Sequence, residues 1–283
     1  MYKVLDEDTI KNEIIPHLSK AKRGFETKSK LVEVVNAILY KLKTGCQWEF
    51  LPVRELFSDV VLSFQSVYHH FRKWSKNGDW KQCWIKLLKK NRSYLDLSSG
   101  DIDGSHTPAI RGGEQVAYQK RKRRKTCNSI YLTDRQDIPI AMSSTKSGNH
   151  NDLHEITESM DEIFQIMKDA EISLDGLLVN ADAGFDSKEF RTVCNNRGVI
   201  TNVCFNYRNG ESKDNLFFDE ELYKLRYSIE RTNAWMDSFR SVINRFDTTV
   251  ASWESFNYMA FMIILLKKIK KSLNEVIKFS QRY

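Results

Sequence analysis

The sequence predicts an α/β fold behind a small all-helical segment, and three observations carry that reading. Residues up to about Leu97 repeat apolar side chains at helical spacing. After Ser98 the period shortens to the alternation of strands, and strand-like runs then alternate with helix-like ones. At 283 residues the chain can bury a sizeable core in one or two domains. The expected division is a helical domain over 1–97 and an α/β domain over 98–283.

In the first part, Leu31–Leu42 places apolar residues on one face, and Gly45 follows as a stop. Val61–Gly78 has the same period and ends on Asn77-Gly78. A third helix starts near Asp79 and carries Trp84 and Leu88. Tyr68, Phe71, Trp74, Trp80 and Trp84 form the expected aromatic core, and a helix-turn-helix DNA reader is one use of such a unit. In the second part, Ser99–His106 reads as a strand and Ser129–Thr145 as a hairpin turning at Arg135–Asp137. Asn151 or Asp152 is the expected cap of a helix running to about Asp169, with Glu155 completing a capping box. Ser173–Asp182 is a strand, Ser187–Gly198 a helix closed by glycine, and Ile200–Asn206 a strand. A polar stretch from Tyr207 to Glu221 precedes two long helices.

Composition narrows the partners. A net charge of +7 suits a polyanion. Cys46, Cys83, Cys127, Cys194 and Cys204 are scattered, odd in number and without CxxC spacing, which suits a reducing compartment and argues against a zinc site or disulfide framework. Met1–Asp8 is mixed polar rather than a signal peptide, and the longest apolar run, Met259–Leu266, falls short of a membrane span. A soluble cytoplasmic protein, associated with the nucleoid, is the expectation.

The chemistry resides in three acids. Asp103 lies in DIDGSH at a strand end, with Asp101 on the same face as a rival ligand. Asp182 ends the apolar strand LLVNAD, where α/β folds place ligands, and Asp186 is better placed as a helix cap. Glu230 lies in the helical stretch Tyr223–Arg240, where Leu225, Ile229 and Trp235 predict a half-buried helix. Carboxylate oxygens are the donors that hard divalent cations prefer, and Mg2+ leaves further positions to water and phosphate. Three such acids on separate elements point to a metal-dependent nuclease or polynucleotidyl transferase. The run Lys120, Arg121, Lys122, Arg123, Arg124 and Lys125 holds six consecutive cations, a solvated loop in most settings and a phosphate-binding one beside such a site. His106 and His150 are within reach of the site in such a fold, although histidines in such positions are more often structural.

These motifs resemble, in order and over nearly the whole chain, the DDE transposases of bacterial insertion sequences of the insertion-sequence-five type. AILYKLKTGCQWEFLP (Ala37–Pro52) and YHHFRKWSKNGDW (Tyr68–Trp80) resemble the family's N-terminal domain. SGNHND (Ser147–Asp152) resembles its glycine-histidine-aspartate segment, and Tyr223, Arg226 and Glu230 fit its Tyr-x2-Arg-x3-Glu pattern. One departure stands: the lysine that often completes the pattern is Asp237, which leaves Arg231 and Arg240 as candidates for the phosphate contact. The resemblance implies a ribonuclease H-like mixed sheet with flanking helices, consistent with the order βββαβαβα. It implies Asp103, Asp182 and Glu230 as catalytic ligands of a pair of Mg2+ ions, with Mn2+ able to substitute. It implies double-stranded DNA as partner, both terminal repeats and target, contacted by Tyr223, Arg226 and the cations above, and a homodimer on that DNA. Asp103 and Asp182 are 79 residues apart and Asp182 and Glu230 are 48 apart, too few for an inserted domain. A catalytically silent DNA-binding relative and an ordinary ribonuclease H-like nuclease are the alternatives.

Overall fold

A computed structural model describes residues 3–20, 27–206 and 216–280. A single turn, α1 (Glu7–Thr9), opens the chain, followed by α2 (Leu31–Thr44), α3 (Val53–Leu56), α4 (Phe64–Lys76) and α5 (Asp79–Lys90). Then come β1 (Gly100–Pro108), β2 (Ala117–Gln119), β3 (Arg124–Asp134), β4 (Pro139–Met142), β5 (Lys146–Ser147) and α6 (Ile156–Asp169). The chain continues through β6 (Leu178–Ala181), α7 (Lys188–Asn195) and β7 (Ile200–Val203). It closes with α8 (Glu220–Lys224), α9 (Tyr227–Asp237), α10 (Arg240–Ile243) and α11 (Val250–Ser280). Of the polar stretch expected from Tyr207, residues 207–215 lie outside the described part.

Two compact units result. One comprises the chain up to Leu87 and from Met236 onward, the other Leu88–Trp235. The C-terminal helix therefore groups with the N-terminal helices, whereas the sequence pattern joins everything after residue 97 to the sheet. Aromatic packing explains the grouping: Phe256 of α11 stacks on Phe71 with ring centroids 4.5 Å apart, and Phe261 meets Trp84 at 5.5 Å. Phe71, Trp80 and Trp84 are fully buried, as is most of Met259–Leu266. Truncating Trp84 to Ala is expected to cost about 3–5 kcal/mol in urea unfolding, the usual penalty for an aromatic-sized cavity. Gly45 ends α2 with φ 68°, and a Cβ there would lie 2.7 Å from the Cβ of Arg240. Glycine is thus required both by backbone conformation and by the approach of α10.

In the other unit β3 is central to an antiparallel group, pairing with β1, β2, β4 and β5. β6 and β7 extend the sheet in parallel from the other edge of β1. The order β4-β3-β1-β6-β7, a three-stranded meander followed by two parallel crossovers, is the ribonuclease H-like arrangement. β3 is buried from Thr126 to Asp134 because helices cover both faces of the sheet. Among the described residues no helix is long and apolar enough to cross a membrane.

Several local expectations change. The basic run lies in a hairpin of its own, β2–β3, whose turn is Lys120–Arg123, and β3 starts at Arg124 rather than Ser129. Neither Asn151 nor Asp152 caps α6: the cap position is Glu155, at φ 50°, with no side-chain capping bond. Ser187 rather than Asp186 caps α7, accepting from the Phe190 amide at 3.1 Å. The stretch from Tyr223 is broken at Leu225–Arg226, so Tyr223 ends up on α8 and Glu230 on α9.

Candidate active site

β1 pairs with β6 only at Gly100–Val179 and Asp101–Asn180. Beyond that register the strands part, and Asp103 and Asp182 stand at the carboxyl side of the split. Strand alternation puts Asp101, Asp103 and the cross-strand partner Thr133 on one face. Helix α9 covers that face. Thr232 hydrogen-bonds Thr133 through their hydroxyls at 2.7 Å, Ser228 donates to Asp101, and Asn233 Nδ2 donates to Asp103 Oδ2 at 3.2 Å.

The two aspartates of β1 play different parts. Asp101 is buried and accepts from Asn180 Nδ2 at 2.9 Å and from Ser228, so its oxygens are spent inside the fold. Burial raises its pKa, with those hydrogen bonds opposing. Asp103 keeps contact with solvent. Burial pushes its pKa up to about 6, the Arg226 guanidinium opposes, and the Asp182 and Asp152 carboxylates add to the rise. Asp182 ends β6, accepts from the Gly184 amide at 2.8 Å, and leaves 46% of its side chain exposed.

Arg226 joins the aspartates. Its Nη2 lies 3.7 Å from Asp103 Oδ1 and 4.0 Å from Asp182 Oδ2. Tyr223 is half-buried, and its pKa is raised first by burial, with Arg226 opposing and Cys204 and Asp182 adding to the rise. Glu230 stands apart. It is exposed, and among the described residues no group of three His, Cys, Asp or Glu side chains is close enough to hold a metal. On α9, however, it is one turn beyond Arg226 and one turn before Asn233, the two residues that reach Asp103. Of the apolar residues expected to bury this helix, Ile229 does so, while Trp235 is 52% exposed.

The reverse face of β1 holds a network that acid-spotting in the sequence misses. Asp152 Oδ1 accepts from Asn128 Nδ2 at 2.7 Å and lies 3.6 Å from His106 Nε2. It sits directly over Gly104, where a Cβ would be 2.0 Å from that oxygen. Gly148 makes a similar close approach to Thr126, with a virtual Cβ 2.0 Å from its Oγ1. DIDGSH and SGNHND thus meet where Asp152 packs on Gly104, while Gly148 packs on β3 at Thr126, and glycine in both motifs was the available signal. His150 stacks on His154 at 3.6 Å.

The remaining cations separate. Lys120, Arg121, Lys122, Arg123, Arg124 and Lys125 are all exposed. Lys122 Nζ turns inward to donate to the His106 carbonyl at 2.8 Å. Its pKa is lowered by burial and by Arg121 and Arg124, with Asp152 and Asp103 opposing. Arg231 is held by Asp137 through Nε at 2.8 Å, and Arg240 belongs to the helical unit. Asp237, at the position where lysine often completes the pattern, is the exposed last residue of α9.

The donor set suits a hard cation. Asp103 and Asp182 offer carboxylate oxygens from two strand ends, and they already share one positive group.

Residues 95–266 match the family profile described as transposase DDE domain, and residues 10–84 match that of a transposase of the IS4/5 family. No curated protein matches the chain. Among solved structures, the Mos1 transposase paired-end complex with left transposon end is similar at 10% identity and a TM-score of 0.29, over 87% of this chain and 80% of that one. The Mos1 mariner paired end complex with Mn is similar at 10% identity and a TM-score of 0.29, over 90% and 83%. DDE transposases act with divalent metal ions, in keeping with the oxygen donors at the split. With the profile spanning Asp103, Asp182 and Glu230 alike, the chain belongs to the DDE transposases of the IS4/5 family.

Proposed function

We propose that this transposase cuts DNA at the ends of its insertion sequence and joins them to target DNA, with Asp103, Asp182 and Glu230 as ligands of a pair of Mg2+ ions. The observation that carries the reading is the convergence of Asp103 and Asp182 on one guanidinium at the split between β1 and β6. Glu230, exposed and one turn before Asn233 on α9, is the third ligand of the set. When bound, the metal pair supplies an activated oxygen nucleophile and charge stabilisation for in-line phosphodiester substitution, with Mn2+ able to replace Mg2+.

The chain's own groups do the rest. Asn233 orients Asp103 through its 3.2 Å hydrogen bond. Tyr223 and Arg226 face the phosphate, and Arg231 and Arg240 contact the backbone farther along. The hairpin Lys120–Lys125 binds backbone phosphates without regard to sequence, and the helical unit binds the terminal repeats. The protein works as a homodimer on DNA in the cytoplasm, at the nucleoid.

Incubation with a DNA carrying the element's terminal repeats tests this directly. Nicking at the repeat boundary in Mg2+ or Mn2+, absent with a chelator, is expected. Binding without cleavage in either metal would mark a silent DNA-binding relative. Replacing Arg121 or Arg123 by Ala should lower the slope of log affinity against log salt by about 1 each, as one phosphate contact is lost. An unchanged slope would remove the hairpin from the interface.

A further inference from the structure

Arg226 makes an unusual ion pair. Only 16% of its side chain is exposed, yet its guanidinium stays 3.7 and 4.0 Å from two carboxylates without a hydrogen bond to either. Its Nε is buried and has no hydrogen-bond partner among the described residues. Arg191 in the same unit shows the contrast. It grips Asp186 through Nε at 3.1 Å and Nη2 at 2.7 Å, as a structural pair does. Arg226 is therefore held by the joint field of Asp103 and Asp182 rather than by directed bonds. Without it, two half-buried carboxylates would face each other uncompensated.

We infer that Arg226 is the resident counter-charge of the metal site: it holds Asp103 and Asp182 in place before metal binds and is displaced when metal arrives. This rests on the reading of those aspartates as ligands. A guanidinium and a divalent ion cannot both lie between the same two oxygens, so metal entry must drive the arginine outward. Its unsatisfied Nε then gains a phosphate oxygen as acceptor. Metal loading and DNA binding thereby become coupled through one side chain, each favouring the other.

Titration of the full chain with Mn2+ in the absence of DNA, followed by calorimetry, tests the inference. Arg226→Gln should bind Mn2+ about tenfold more tightly than wild type, as expected when one competing cation leaves a half-exposed site. Asp182→Asn should bind much more weakly. Equal or weaker binding by Arg226→Gln, with Asp182→Asn impaired, would overturn the counter-charge and leave the ligand reading intact. Undiminished binding by Asp182→Asn would overturn the ligand reading and the inference with it. In wild type, the Arg226 Nε–H resonance should shift over the same Mg2+ range in which binding saturates. This keeps the test independent of whether the variant folds, and an unmoved resonance at saturation contradicts displacement.

Discussion

Asp103→Asn is expected to reduce metal-dependent strand cleavage on the order of 1,000-fold while leaving terminal-repeat binding unchanged, because the proposed two-metal site loses one carboxylate. Asparagine preserves the shape of the side chain, and its oxygen can still accept from the Gly104 amide, which lies 3.0 Å from Asp103 Oδ1. The charge disappears, and the new amide NH2 faces Asn233 Nδ2, which donates to Asp103 Oδ2 at 3.2 Å, so Asn233 must flip its own amide to keep that hydrogen bond. Burial and the Asp182 and Asp152 carboxylates disfavour ionised Asp103 while Arg226 favours it, so its neutral replacement should unfold close to the wild-type temperature. Gel assays of cleavage and of binding, run beside thermal unfolding, separate the cases. Cleavage that survives in the variant would remove Asp103 from the site.

Gly104→Ala should damage both the fold and the site, because its clash falls next to Asp103. Its Cβ would lie 2.0 Å from Asp152 Oδ1, and that carboxylate is held by Asn128 with His106 beside it. Either β1 or Asp152 must shift. Overpacking of this kind costs about 1–3 kcal/mol, measured by urea unfolding. Cleavage should fall as well, roughly 100-fold, since a displacement near 1 Å next to Asp103 misplaces a proposed ligand. Adding Asp152→Ala should recover much of the stability, because the two changes share one contact. A double variant as unstable as the sum of its parts would mean that the collision is not the cause.

Periodicity made the long elements legible. The apolar stripe of Leu31–Leu42 and the stop at Gly45, the hairpin turn at Arg135–Asp137, and the apolar run into Asp182 all stand where their patterns put them. Long-range contacts hid the rest. Asp152 looks like a helix cap from its neighbours, but Asn128 and the open space above Gly104 claim its carboxylate. The β2–β3 hairpin has no alternation to read, because six adjacent cations occupy its turn and the start of β3. α11 reads as a buried helix, yet the packing of Phe256 on Phe71 and of Phe261 on Trp84 is what reveals which unit it joins.

The site was legible as residue types and spacing, less so as geometry. Strand ends and the split between β1 and β6 account for Asp103 and Asp182. Glu230 follows from the motif alone, since α9 presents it to solvent beside Asn233. Asn233, Asn128 and the Gly104–Asp152 contact carry no charge pattern that a sequence scan would single out.

Ligation of one metal centre by Asp103, Asp182 and Glu230 is tested most directly by metal-directed backbone cleavage. Fe2+ bound in place of Mg2+, with ascorbate and peroxide, generates radicals that cut the backbone close to the metal. Cuts in three places, near Asp103, near Asp182 and near Glu230, all suppressed by excess Mg2+, are predicted. Cuts near the two aspartates with none around Glu230, on free protein and on protein bound to terminal-repeat DNA alike, would contradict it.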